Sequence, residues 1–118
     1  MKSVPKPKWS SFCDRVTDAL TGLRAEIEVA SLDLGDQVQA KSLPVLGIAY
    51  DHKNDVFEVA LEGLDHLIRR PESLMVIDGP TGVTSMLVVD WDAVRHVIRF
   101  KEPLMLPAPE GEQERSAT

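Results

Sequence analysis

The chain has 118 residues, 43% of them hydrophobic and 27% charged, which suits one folded domain with a single core and excludes a disordered polymer. Its formal charge of -6 excludes a nucleic-acid coat, because neutralising phosphates takes clustered Lys and Arg. The one cysteine, Cys13, cannot close an internal disulfide, which fits a reducing, cytoplasmic setting.

Residues 1–8, with Lys2, Lys6, Lys8, Pro5 and Pro7, read as an extended basic arm. They lack the apolar run of a signal peptide. The longest stretch without a charge, Gly79 to Val89, is far short of a membrane span and is broken by Pro80 and Gly82, so no membrane partner is expected. From Trp9 the period becomes helical. Trp9, Phe12, Cys13, Val16 and Leu20 recur at three- and four-residue steps, with Asp14, Arg15 and Asp18 opposite. Ser11 and Asp14 resemble a capping box, and Gly22 is a natural stop.

The next run alternates, with Ala25, Ile27 and Val29 on one face and Glu26 and Glu28 on the other. Its apolar parity then switches to Leu32 and Leu34, which predicts a bulge near Ala30–Ser31. Gly35–Asp36 reads as a turn, and Val38 and Ala40 open a second strand. Pro44 has no peptide donor, so the chain lies on an edge there or breaks before Val45. The firmest element is the hairpin from Val45 to Leu61. In it Phe57, Val59 and Leu61 alternate with Val56, Glu58 and Ala60, and Asp51, Asn54 and Asp55 supply turn chemistry. Strands follow over LDHLIRR, SLMVID, VTSMLVVD and VRHVIRFK, with turns at Pro71–Glu72, Gly79–Gly82 and Asp90–Ala93. EPLMLPAP reads as a strip docked by its leucines, and 110–118 as a disordered acidic tail.

The expected fold is α+β. One N-terminal amphipathic helix precedes a six- to seven-stranded antiparallel meander, curled into a small, partly open β-barrel, with residues 9–109 as a single globular domain. A flatter sheet with the helix on one face is the alternative.

No glycine-rich phosphate loop, serine elbow or zinc-helix pattern is present, and neither a cofactor nor a metal is predicted. His52 belongs to turn chemistry, because its loop lacks calcium-loop spacing. His66 and His96 each fall on an otherwise apolar row, where an imidazole needs a hydrogen-bond partner. They form a candidate pocket if the two rows meet; otherwise each bonds a backbone carbonyl. Arg69, Arg70, Arg95 and Arg99 form a candidate anion-binding patch if strands 64–70 and 94–101 converge; otherwise they pair with Glu58, Glu62 or Glu72. Cys13 faces the core and reads as packed rather than reactive.

Trp9, Ile27, Asp33, Gly35, Leu43, Pro44, Gly47, Tyr50, Glu62, Gly63, His66, Pro71 and the Pro103–Pro109 strip give the chain a wider likeness. From Trp9 to Pro109 it resembles a family of small bacterial proteins classed only as a domain of unknown function. The resemblance implies a stand-alone bacterial cytoplasmic protein and supplies no mechanism. Trp91 departs from it, at a turn where a small polar residue or glycine is expected.

The function stays unknown at this level. The reading that fits is a non-catalytic binding or protein-interaction domain, self-associating through an open strand edge or the Trp9 helix, with an unidentified protein partner. The alternative is a small hydrolase-like enzyme using His66 or His96 with a carboxylate. RNA binding is disfavoured by the charge and the few aromatics.

Overall fold

The computed structural model describes residues 1–19, 23–31, 35–80 and 82–104. Among them, one helix, α1 (Trp9–Ala19), accompanies eight strands: β1 (Lys2–Ser3), β2 (Arg24–Ser31), β3 (Gly35–Asp51), β4 (Val56–Leu61), β5 (Leu64–Arg69), β6 (Pro71–Gly79), β7 (Gly82–Asp90) and β8 (Arg95–Leu104). They form one sheet in the order β1-β6-β7-β8-β2-β3-β4-β5, and every ladder is antiparallel. The α+β class and the antiparallel pairing are as expected, but the sheet has eight strands rather than six or seven and is not one continuous meander. Strands β2–β5 and β6–β8 are separate meanders joined where β8 pairs with β2, and the consecutive strands β5 and β6 do not pair. The sheet is not closed into a barrel: β1 and β5 end it, and no ladder joins them. It curls nonetheless, because β5 and β8 meet through their inner faces although β2, β3 and β4 lie between them in the order.

The inner face carries the core. Ile27, Phe57, Val59, Leu74, Met86 and Ile98 come from five different strands and are fully buried. A side chain of this size contributes about 1.5–3 kcal/mol when taken wholly out of water. Helix α1 turns Trp9, Phe12, Cys13 and Val16 into this core. Trp9 meets Tyr50 edge to face at 5.0 Å and donates its indole N–H to the Val4 carbonyl at 2.7 Å.

The helix also finishes the sheet. Beyond Pro44, β3 pairs with β4 on one side only, and α1 lies along the other. There Thr17 Oγ1 donates to the Ile48 carbonyl at 2.9 Å and accepts the Ile48 N–H at 3.0 Å, while Ser10 Oγ donates to the Tyr50 carbonyl. Two hydroxyls thus satisfy peptide groups that a neighbouring strand would otherwise take.

Several local expectations change. Pro44 neither breaks the chain nor sits on an edge. It lies inside the 17-residue β3, where that strand passes from β2 to β4, so its missing donor falls at the handover. The irregular register of β2 against β3 lies on either side of Ile27 rather than at Ala30–Ser31. Ser11 is not a cap: a 3-10 turn at Lys6–Lys8 runs directly into the helix, so Ser11 is already inside it, bonded back to the Lys8 carbonyl. Residues 2 and 3, expected in the arm, pair with Met75 and Val76 of β6, and Val4 is buried. Gly22, Leu32, Leu34, the 105–109 part of the proline strip and the 110–118 tail lie outside the described residues.

Candidate functional site

Alternation along β5 places His66 on the inner row with Leu64 and Ile68. Alternation along β8 does the same for His96 with Ile98 and Phe100. The curl of the sheet brings the two rows together, and His66 Nε2 lies 2.9 Å from His96 Nδ1. The other nitrogen of His96, Nε2, lies 3.0 Å from Asp90 Oδ2. Asp90 ends β7, and its second oxygen accepts the N–H groups of Asp92 and Val94 at 2.9 and 3.1 Å. The tight turn Asp90–Ala93, with Ala93 at φ 61, therefore fixes the carboxylate that receives the imidazole.

Asp90 only accepts, so His96 carries a proton on Nε2. With His96 neutral, its Nδ1 offers a lone pair. His66 must then donate from Nε2, which leaves the lone pair of its Nδ1 outermost. No buried side-chain nitrogen or oxygen among the described residues lacks a partner, so this outer nitrogen reaches solvent. Burial, reinforced by the neighbouring His96, pushes the His66 imidazole down to about 4, so it is neutral at pH 7. The chain Asp90–His96–His66 can orient a base at its outer end. Among the described residues, no hydroxyl or thiol is bonded to that end, and no group of three His, Cys, Asp or Glu could hold a metal ion. Cys13 lies apart in the core. Burial first, then the charge of Asp14, pushes its thiol up to about 12.

The four arginines are not gathered. Strands β5 and β8 meet through their inner faces, and Arg69, Arg95 and Arg99 lie on the outer faces, which point apart. Arg99 is held by Glu28 at 2.7 Å and Glu26 at 3.3 Å, its neighbours on β2, rather than by Glu58, Glu62 or Glu72. Arg69 lines a shallow cleft with Asp51 and Glu58, and Arg95 lines another with Ala30, Ser31 and Ala93. Arg70 sits at a third place, its guanidinium 4.8 Å from the ring centre of Trp91.

That third place holds features not legible from motifs. Asp55 and Arg70 are two of only three non-glycine residues described with positive φ, at 53° and 49°. One backbone bond joins them, from Arg70 N–H to the Asp55 carbonyl, and Trp91 N–H bonds the Arg70 carbonyl in turn. Such strained backbone persists only where its surroundings hold it, and it gathers at binding sites. A cleft of about 640 Å³ opens here between Lys6, Arg70, Glu72 and Trp91. Beside it lies a cleft of about 620 Å³ lined by Lys6, Ser10, Tyr50 and His52. Asp55 divides the two, accepting the Tyr50 hydroxyl at 2.6 Å and pairing with Lys6 at 3.3 Å. Burial first, and then Asp55, pushes the Tyr50 phenol up to about 12. The one signal in the sequence was Trp91, out of place at its turn and 54% exposed.

A protein of Aquifex aeolicus (strain VF5), described only as uncharacterized, is 36% identical to this chain over 107 residues, spanning 90% of this chain and 96% of that protein. No solved structure matches the chain. A family model described as a family of unknown function (DUF5335) matches residues 1–109, the whole stretch over which the resemblance was read, and the chain belongs to that family.

Proposed function

We propose that this chain is a binding domain for a protein or peptide partner, working in the cytoplasm of a bacterium, with its contact surface at the end where Lys6, Arg70, Glu72 and Trp91 meet. The observation that carries the reading is the exposed Trp91 ring bearing the Arg70 guanidinium beside two adjoining clefts. Tryptophan, tyrosine and arginine are the residues that dominate protein interfaces when a partner covers them. The clefts fall in the usual size range of ligand sites. The single cysteine, Cys13, which has no second cysteine to pair with, supports a reducing compartment, and no described helix is long and apolar enough to cross a membrane.

The test is selection of binding peptides from a displayed random library, followed by titration against variants. Trp91→Ala and Arg70→Ala are each expected to weaken the selected peptides by about tenfold or more. Peptides that bind these variants as well as the parent would place the contact surface elsewhere.

A second reading rests on the Asp90–His96–His66 chain, whose outer nitrogen suits a general base. It requires turnover of activated esters that disappears in His66→Gln. A rate identical in the parent and in His66→Gln rules it out.

A further inference from the structure

Strand β5 ends the sheet, and among the described residues no strand pairs with its outer border. The two-residue turn Glu62–Gly63 makes Leu61 and Leu64 a hydrogen-bonded pair. By alternation Leu64, His66 and Ile68 turn their peptide groups toward β4, and Asp65, Leu67 and Arg69 turn theirs away from the sheet. The bonds from Glu62 N–H to the Pro44 carbonyl and from Arg70 N–H to the Asp55 carbonyl keep that alternation at both ends.

Natural sheets blunt their borders with very short strands, charged side chains (lysine above all), prolines, bulges or a covering element. The opposite border, β1, is two residues long, and the free side of β3 is covered by Thr17 and Ser10 of α1. Among the described residues, strand β5 has only one of these devices, the exposed charges of Asp65 and Arg69, and these are of opposite sign, so a second copy can match them rather than be repelled. It runs six residues in regular register without Lys or Pro, and Leu67 at its middle is 43% exposed. Asp65 and Arg69 flank Leu67 on the same outward face, both exposed. Four residues of strand hold them about 13 Å apart, too far to pair with one another. Neither is in an ion pair among the described residues.

We propose that two copies of this chain join edge to edge through β5, antiparallel about a twofold axis at Leu67, so that Asp65 of each copy faces Arg69 of the other. This register pairs outward peptide groups only with outward peptide groups, and each such pair exchanges both its hydrogen bonds. Leu67 packs on Leu67 of the second copy between two opposite-charge pairs, which also favours this alignment. A slip of two residues either way sets Asp65 or Arg69 against Leu67 and breaks the charge match. Pro71, with no peptide donor, ends the ladder beyond Arg70. The interface is isologous, so it closes at two copies. It adjoins the Trp91 surface at Arg70 but does not depend on that surface binding anything.

The experiment is sedimentation velocity on the full chain and three charge variants across a concentration series. The parent is expected at twice the chain mass of 13.1 kDa. Asp65→Arg and Arg69→Asp alone each bring like charges together and are expected to weaken pairing by about tenfold or more. An equal mixture of these two variants, and the double variant Asp65→Arg/Arg69→Asp, both restore opposite-charge pairs and are expected to sediment as dimers. Recovery in the mixture also shows that each single variant is folded. A parent that stays at single-chain mass up to about 1 mM overturns the proposal, and so does a dimer indifferent to both reversals. If only a chain cut after Leu104 dimerises, residues 105–118 occupy the border instead, and the proposal fails for the full protein.

Discussion

Strand β8 carries a polar cluster on each of its faces. On the inner face His96 is 6% exposed and is bonded at both ring nitrogens, to Asp90 and to His66. On the outer face Arg99 reaches Glu26 and Glu28 from a side chain that is 46% exposed. Both clusters tie β8 to other strands, at similar distances. Water supplies a substitute partner outside and none inside, so equal geometry carries unequal weight. The inner chain spans the curl from β5 to β7, whereas the outer pairs only reinforce a ladder that β2 and β8 already share.

Removing His96 breaks the comparison most sharply. His96→Ala takes away the middle of the chain, leaves an Asp90 oxygen and the His66 N–H without partners, and opens a cavity. Urea unfolding is expected to show a loss of about 2–4 kcal/mol. In a double-mutant cycle with His66→Leu, the combined loss should fall short of the sum by about 1 kcal/mol, because the two rings act through one bond. Additive losses would mean that the rings do not support each other.

Acid sharpens the comparison on the same strand. In the unfolded chain His66 takes up a proton near its ordinary 6.5, and in the folded protein only near about 4. Between these values the unfolded state binds more protons, so stability is complete above 6.5 and drains as pH falls toward 4. Unfolding midpoints at about pH 7 and about pH 5 should therefore differ in the parent, and differ less in His66→Leu. The Glu28 carboxylate, held low by its hydrogen bond to Arg99, adds its own loss only at lower pH, so the two faces separate along the titration.

The smallest effect belongs to the outer face. Arg99→Ala should cost no more than about 1 kcal/mol, and the cost should shrink as salt is added. A loss as large as that of His96→Ala would overturn the contrast between the faces.

Much of this was legible in the sequence. Alternation placed Phe57, Val59, Leu61, His66, His96 and Ile98 on the inner face and Arg69, Arg95 and Arg99 on the outer one, because one buried face dictates a period of two. The meeting of His66 with His96 was not fixed by it. They stand thirty positions apart, and their contact depends on how far the sheet curls, which no local pattern encodes. The same curl keeps the arginines apart, because it brings the inner faces of β5 and β8 together and turns their outer faces away from each other. Asp90 was read only as part of a turn, since its part in the histidine chain needs that turn closed around Val94. The Trp91 surface escaped because it is assembled by backbone bonds between distant loops, and the β1 pairing because two residues carry no period.

Thr17 does for β3 what a ninth ribbon would do, with a single oxygen atom as both giver and receiver. The first nineteen residues are therefore no detachable decoration on a self-sufficient sheet. A fragment beginning after them would bare the flank of Ile48 and Tyr50 while keeping the bare flank at Leu67. A particle sticky on one flank stops growing once it has met its twin. A particle sticky on both has no stopping point, and such a fragment should string itself into filaments.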